Sequence, residues 1–281
     1  MNYDLRETVN RRKSVRSYEK RPLSREDKEA ISSAIVEYCA ESTPFPAEIQ
    51  IQLLEAKPGT DTEKLGTYGV IRGAQSFLGV TVKNTETAPE AVGYTFEKLV
   101  LHATAMGLGT CWMAGTFNRE QFAGLLGVQE DEIFPVISPI GYPLEKKALI
   151  DSVFRKVGKS DQRKSWNELF FDGEFGTPLS EAQDEVYAFP LEMLRLAPSA
   201  ANKQPWRVVR TDGAFHFYRE GNPKSKYPFD LQRLDVGIGA CHFHLAAQER
   251  GLAGEFAYLA EPNIVLPENT KYLFSWVEGC P

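Results

Sequence analysis

The sequence predicts an α+β fold built as two related halves, residues 1–170 and 171–281. Three observations predict it. Short apolar or alternating runs that read as strands are interleaved with longer amphipathic runs that read as helices. The order of those elements recurs in the second part of the chain, and a Gly-rich stretch, FDGEFGTP, separates the two series. At 281 residues the chain is long enough to bury a substantial core in either one large domain or two ordinary ones.

From Ser24 the run SREDKEAISSAIVEYCA has an N-cap serine with Asp27 three residues on, and Ile31, Ala34, Ile35 and Tyr38 fall at helical spacing. IQIQLLEA at 49–56 alternates at its start and FLGVTV at 77–82 is apolar and partly β-branched, so both predict strands. A long helix is expected from Pro89 to Met106, with Val92, Phe96, Leu99, Ala103 and Met106 on one stripe and Gly107-Leu108-Gly109 as its stop. FPVISPIGYP at 134–143 reads as a strand whose prolines call for an edge position or a terminal turn. The second series is a helix near 180–196, strands near 206–218, a helix near 231–250, and strands near 253–259 and 272–277.

Sliding the chain on itself by 144 (236 minus 92) sets Val92, Gly93, Leu101, Ala103, Gly107 and Leu108 on Val236, Gly237, Leu245, Ala247, Gly251 and Leu252. Upstream, Pro22-Leu23-Ser24 meets Pro178-Leu179-Ser180 at a shift of 156 (178 minus 22). In that register Glu168, Phe170 and Asp172 take the places of Arg12, Ser14 and Arg16, and where APSAANKQPW follows the second-half helix the first half offers only AESTPFPAEI. Each half therefore keeps a motif that the other lacks.

Composition narrows the function. A net charge of −6 with interleaved acids and bases gives no broad basic face for nucleic acid. No apolar run approaches a bilayer span and the N-terminus has no apolar core of a secretory signal, so a cytoplasmic protein without a membrane partner is expected. The four cysteines, Cys39, Cys111, Cys241 and Cys280, are scattered without a CxxC pair, which argues against a disulfide framework or zinc. His242 and His244 lie two apart on a helix, roughly 200° around it, and so do not share a metal; none is expected.

Arg12, Ser14 and Arg16 alternate in an extended segment after a short helix, so they point to one side. Two guanidiniums and a hydroxyl that converge suit a phosphate dianion, although charge runs are also common as plain surface. APSAANKQPW begins where a helix ends: Pro198 cannot continue it, Ser199 and Asn202 offer short polar groups in a tight turn, and small Ala200 and Ala201 admit a planar ligand. Gln204 and Trp206 then enter a strand, where tryptophan is more often core than ligand contact. GLGTCWMAG at 107–115 suits a strip beside a ring system. Neither it nor GIGACH at 237 is a dinucleotide fingerprint, because the third glycine and the preceding strand are missing.

Together RRKSVRSY, the long helix through GLGTCWMAG, FPVISPIGYPLEKK and APSAANKQPW resemble the FMN-dependent nitroreductase family. The resemblance implies a three-layer fold with mixed sheets flanked by helices, in which two halves of one chain mimic the family dimer. It implies that Arg12, Lys13, Ser14 and Arg16 contact the FMN phosphate and ribityl, and that Trp112, Met113 and Ala114 run along the isoalloxazine. Lys146 and Arg163 are the remaining basic contacts to phosphate. Pro198, Ser199, Ala200, Asn202 and Gln204 are the contribution normally made by the partner subunit, here covalently attached. One flavin per monomeric chain follows, with NADH or NADPH as reductant and a nitroaromatic, quinone or similar small acceptor as oxidant. The chemistry belongs to the flavin, so no catalytic side chain is assigned; Arg16 and Lys203 are cations suited to its reduced anion. A flavin-binding sensor or carrier without turnover is the alternative.

Overall fold

The structure is a computed structural model describing residues 3–41, 44–55, 66–144, 162–181, 184–222 and 229–279. Its contacts fall into two compact units, one of Met1–Ser42, Ala47–Ala88 and Thr95–Lys159, the other of Thr43–Pro46, Pro89–Tyr94 and Ser160–Pro281. Among the described residues no helix is long and apolar enough to cross a membrane, and no His/Cys/Asp/Glu group is arranged to hold a metal ion.

The first unit contains α1 (Leu5–Arg11), α2 (Arg25–Ala40), β1 (Ile49–Glu55), β2 (Ser76–Lys83), most of α3 (Ala88–Ala105), β3 (Gly109–Thr110), α4 (Arg119–Leu126) and β4 (Glu132–Gly141). Ser24 caps α2 as expected, its Oγ accepting the Asp27 N–H at 3.0 Å, and Ile31, Ala34 and Tyr38 are the residues that helix buries. The antiparallel sheet has the order β1-β2-β4-β3. The proline-bearing strand β4 is therefore internal, which corrects the edge expected from the sequence. Ile137 exchanges both backbone bonds with Met113, so Pro139, two residues on, turns its missing donor to the same side. The ladder there is already broken: β3 ends at Thr110, and the Cys111 N–H goes instead to Ser138 Oγ at 2.9 Å. Pro135 falls at the register shift opposite Val80 and Val82.

The second unit contains α5 (Trp166–Leu169), β5 (Phe170–Asp172), α6 (Ala188–Leu196), a 3-10 turn (Ala200–Asn202), β6 (Trp206–Thr211), β7 (Ala214–Glu220), α7 (Leu231–Glu249), β8 (Gly254–Ala257) and β9 (Thr270–Glu278). Its sheet has the order β5-β6-β7-β9-β8, so β6-β7-β9-β8 reproduces β1-β2-β4-β3 with β5 added beside β6. Helix α6 begins later than the expected 180 because Pro190 lies in its first turn. There a missing N–H costs nothing, but the ring blocks any earlier turn, and Asp184 Oδ1 accepts the Tyr187 N–H at 3.1 Å instead. The core of this unit is aromatic, with Phe217, Phe243, Phe256, Phe274 and Trp276 in edge and offset contact at 5.1–6.3 Å between ring centres.

The 144-residue register is visible in the backbone. Gly107 (φ +83°) and Gly251 (φ +66°) each end a long helix in the left-handed conformation, and the next N–H returns to the carbonyl of Ala103 or Ala247, at 2.9 Å in both cases. The Pro89–Tyr94 segment at the start of α3 packs against α7 through glycines that the same register pairs. A Cβ on Gly93 would stand 2.1 Å from the Leu234 carbonyl oxygen, and one on Gly237 would stand 2.2 Å from that of Glu90. Since 234 minus 90 is also 144, each glycine meets the backbone that the register equates with the other's neighbour. Arg233 clamps this contact by donating to both Glu90 oxygens at 2.5 and 3.0 Å, and Tyr94 Oη lies 2.7 Å from His244 Nδ1.

Alanine at Gly93 or Gly237 must push backbone from backbone and should lower stability in denaturant unfolding by about 1–3 kcal/mol. Gly124, on the open face of α4 with nothing within 4 Å of a would-be Cβ, is the control, where alanine should add about 0.5–1 kcal/mol. Equal responses at these sites would contradict the packing.

Candidate functional site

In the first unit, α1 delivers the basic segment. Asp4 caps the helix start by accepting the Glu7 N–H at 2.7 Å, and the Arg12 N–H closes its end on the Thr8 carbonyl at 2.9 Å. Beyond it the chain is extended, with Ser14 bridging Thr110 in parallel and Val15 donating to the Thr110 carbonyl at 2.8 Å. Gly109 permits this approach, since a Cβ there would lie 2.9 Å from the Val15 side chain. Alternation then buries Val15 and Ser17 and leaves Arg12, Ser14 and Arg16 partly exposed together, as the spacing predicts. Lys13 is exposed.

Arg12 has a property that spacing could not show. Its Nε is buried and has no partner among the described residues. Burial pushes the guanidinium below its ordinary pKa and neighbouring Glu97 pulls it back, but an arginine stays protonated across the physiological range. A buried, charged donor without an acceptor is costly, and an anionic ligand oxygen would relieve it. Glu97, fully buried on α3, also accepts the Trp112 Nε1–H at 2.7 Å and so fixes the indole.

The 112–114 strip divides by alternation. Met113 turns its side chain into the core beside Phe117, Phe122 and Ile137, and its N–H and carbonyl are both bonded to Ile137 at 3.0 Å. Its expected place along a ring is thus taken by protein contacts, and the backbone donors that face away from β4 are those of Trp112 and Ala114. The Ala114 carbonyl accepts from Arg119 at 2.7 Å. Lys146 lies outside the described residues.

In the second unit the expected residues Ser199, Asn202, Gln204 and Arg163 are brought together. Ala201, Asn202 and Gln204 all have left-handed backbone, with φ of +50°, +54° and +49°. Residues with a Cβ adopt that conformation at a cost, and several in one turn need strong restraint. The restraint comes from side chains: Ser199 Oγ accepts the Gln204 N–H at 2.8 Å, Gln204 Oε1 the Lys164 N–H at 2.8 Å, and Asn202 Nδ2 donates to the Gln162 carbonyl at 2.8 Å. Arg163 donates to Leu196 O at 3.1 Å and to Asn202 Oδ1 at 3.3 Å, so this guanidinium holds the turn from behind. Pro198 and Ala200 remain partly or fully exposed on it, as does Lys203.

Sequence reasoning missed Asp235 of α7. Its Oδ1 accepts the Ala200 N–H at 2.9 Å, while its Oδ2 is buried without a partner among the described residues. Burial pushes this carboxyl up to about 8, against the opposing pull of the Ala200 N–H and Lys203. No local pattern in LDVGIG announces it, because its partner lies 35 residues earlier.

The folded protein therefore holds a proton on Asp235 between about pH 4 and pH 8 that the unfolded chain has released, so stability from this group falls as pH rises through that window. Glu90, raised by burial to about 7 despite Arg233, acts in the same direction. Urea midpoints at pH 5 and pH 8 should show the decline, and Asp235→Asn should flatten it; an undiminished slope in the variant would exclude Asp235 as a source.

A family model described as "Putative TM nitroreductase" matches residues 4–247. A search of curated proteins finds no match. Among solved structures, a protein described as a putative nitroreductase from Thermotoga maritima is similar over 99% of this chain and 95% of its own, at 18% identity and a TM-score of 0.62, which shows a common fold. A nitroreductase with bound FMN from Bacteroides fragilis aligns with 53% of this chain and 92% of its own, at 18% identity and a TM-score of 0.41. With two helix-flanked sheets in an α+β architecture and a family match over nearly the whole length, the chain belongs to the TM nitroreductase family.

Proposed function

We propose that this chain is a cytoplasmic FMN-dependent oxidoreductase that uses NADH or NADPH to reduce a small acceptor such as a nitroaromatic or quinone, as a monomeric pseudo-dimer with one flavin. The observation that carries the reading is Arg12, a charged guanidinium with a buried Nε that has no partner among the described residues, at alternate positions with the partly exposed Ser14 and Arg16. A phosphate dianion supplies the acceptor that the site lacks.

Bound FMN would contribute the redox chemistry, taking a hydride from the nicotinamide and passing electrons to the acceptor. The chain's own residues bind and orient. Arg12, Ser14 and Arg16, with Lys13 at the rim, hold the phosphate end. Trp112 and Ala114 offer backbone N–H groups, with the indole fixed by Glu97. Within the second unit, the Ser199–Gln204 turn is a restrained polar segment, its shape held by Arg163 rather than left to a ligand to organise.

One flavin per chain is supported by the sequence register, which sets Glu168, Phe170 and Asp172 on Arg12, Ser14 and Arg16, and these three are engaged elsewhere in the second unit. Glu168 is used in the capping box of α5, Phe170 is fully buried, and Asp172 pairs with Arg210 at 3.0 Å. Duplication is supported by the common strand order, the matching helix ends and the reciprocal glycines.

The purified protein should be yellow with about one flavin per chain, and NADH or NADPH added without oxygen should bleach it. Arg12→Glu replaces attraction by repulsion and should weaken FMN binding by at least about 100-fold with little change in thermal stability. Retained colour in that variant would overturn the phosphate assignment, two flavins per chain would overturn the asymmetry, and bound flavin that neither nicotinamide reduces would point to a sensor or carrier.

A further inference from the structure

We propose that Asp235 is a positioning residue: its carboxyl fixes the Ala200–Gln204 turn in the left-handed conformation that presents the turn's polar edge to a ligand. The identity of that ligand rests on the FMN reading above; the positioning does not.

The turn is held on one side by Gln162–Lys164 and on the other by α7, and Asp235 Oδ1 is the acceptor on α7, reached by the Ala200 N–H at 2.9 Å. Ala200 is the residue just before the first left-handed one, so restraint there sets where the chain reverses into Ala201 and Asn202. The carboxyl is 2% exposed and its second oxygen has no partner among the described residues. A buried carboxyl with a spare oxygen is an unfavourable way to fill a helix face. In the 144-residue register the equivalent position of α3 is Ala91 (235 minus 144), a residue that fills such a face without that cost. The two helices differ here in what they must hold: the described contacts of Asp235 lead to the Ala200 N–H, with the charges of Lys203 and Asp230 nearby.

The test compares the full chain with Asp235→Asn, which keeps an Oδ1 acceptor, and Asp235→Ala, which removes it and installs the residue of the related helix. Amide hydrogen exchange in peptides spanning 197–206 is measured without flavin, and FMN affinity by fluorescence quenching. In Asp235→Ala the turn amides should exchange about 10-fold faster while the peptides of β6 and β7 stay as protected as before, and FMN affinity should fall about 10-fold. Asp235→Asn should restore both. Unchanged exchange in Asp235→Ala, or an asparagine variant as loose as the alanine one, overturns the proposal. Faster exchange in a protein whose wild type never binds FMN would leave the positioning standing and remove the flavin reading instead.

Discussion

Two stretches of backbone that meet with no side chain between them set the terms for the second unit. Gly93 and Gly237 each face the other element's main chain at a distance that excludes even a methyl group. Such an approach leaves helix α7 no freedom to roll or slide against the Pro89–Tyr94 helical segment. A second glycine, Gly239, serves a different side of the same helix: a Cβ there would meet Leu194 at 2.4 Å and the Trp206 ring at 3.4 Å. Residues two apart point roughly 200° away from each other on a helix, so α7 is fitted closely on opposite faces. The GxG of GIGACH, which fails as a nucleotide fingerprint, is thus explained by packing.

A helix fixed in this way can place a carboxyl accurately. Asp235 stands two residues before Gly237, and the turn it holds sits at the end of α6, which packs on the same helix through Leu194. The first unit uses the same means: α3 buries Glu97, a carboxyl that orients the Trp112 indole and stands beside Arg12. In both places a buried ionisable group has lost solvation that its protein contacts only partly replace. Unfavourable arrangements of this kind collect where a ligand is to be received.

What was legible in the sequence was local and periodic. The stripe Val92, Phe96, Leu99, Ala103 gave α3 to within a residue at each end, and the alternation after α1 gave buried Val15 and Ser17 alternating with partly exposed Ser14 and Arg16. Misreadings arose where the deciding partner is remote or unusual. β4 looked like an edge because its prolines cannot donate, yet the strand beside it stops after two residues and asks for no bond there. The pairing of Met113 with Ile137, 24 positions away (137 minus 113), has no local signal either. Asp235 was invisible for the same reason, as was the tie of the Arg163 guanidinium to the Leu196 carbonyl and Asn202.

The halves part company at a definite place. Their four common strands run in one order, but the extra segment is added at opposite edges: Ser14 pairs beside β3 in the first sheet, whereas β5 pairs beside β6, the counterpart of β1, in the second. The register that sets Phe170 on Ser14 is therefore a sequence equivalence without a structural one. Both segments lie at a sheet edge, and the first leaves Arg12, Ser14 and Arg16 partly exposed. The second has Phe170 fully buried against Trp166 and Asp172 compensated by Arg210. With its segment paired beside β6 and Phe170 in the core, FFD does not stand at β8, the counterpart of β3 where Ser14 pairs, so under the proposed duplication the motif is lost by position as well as by charge.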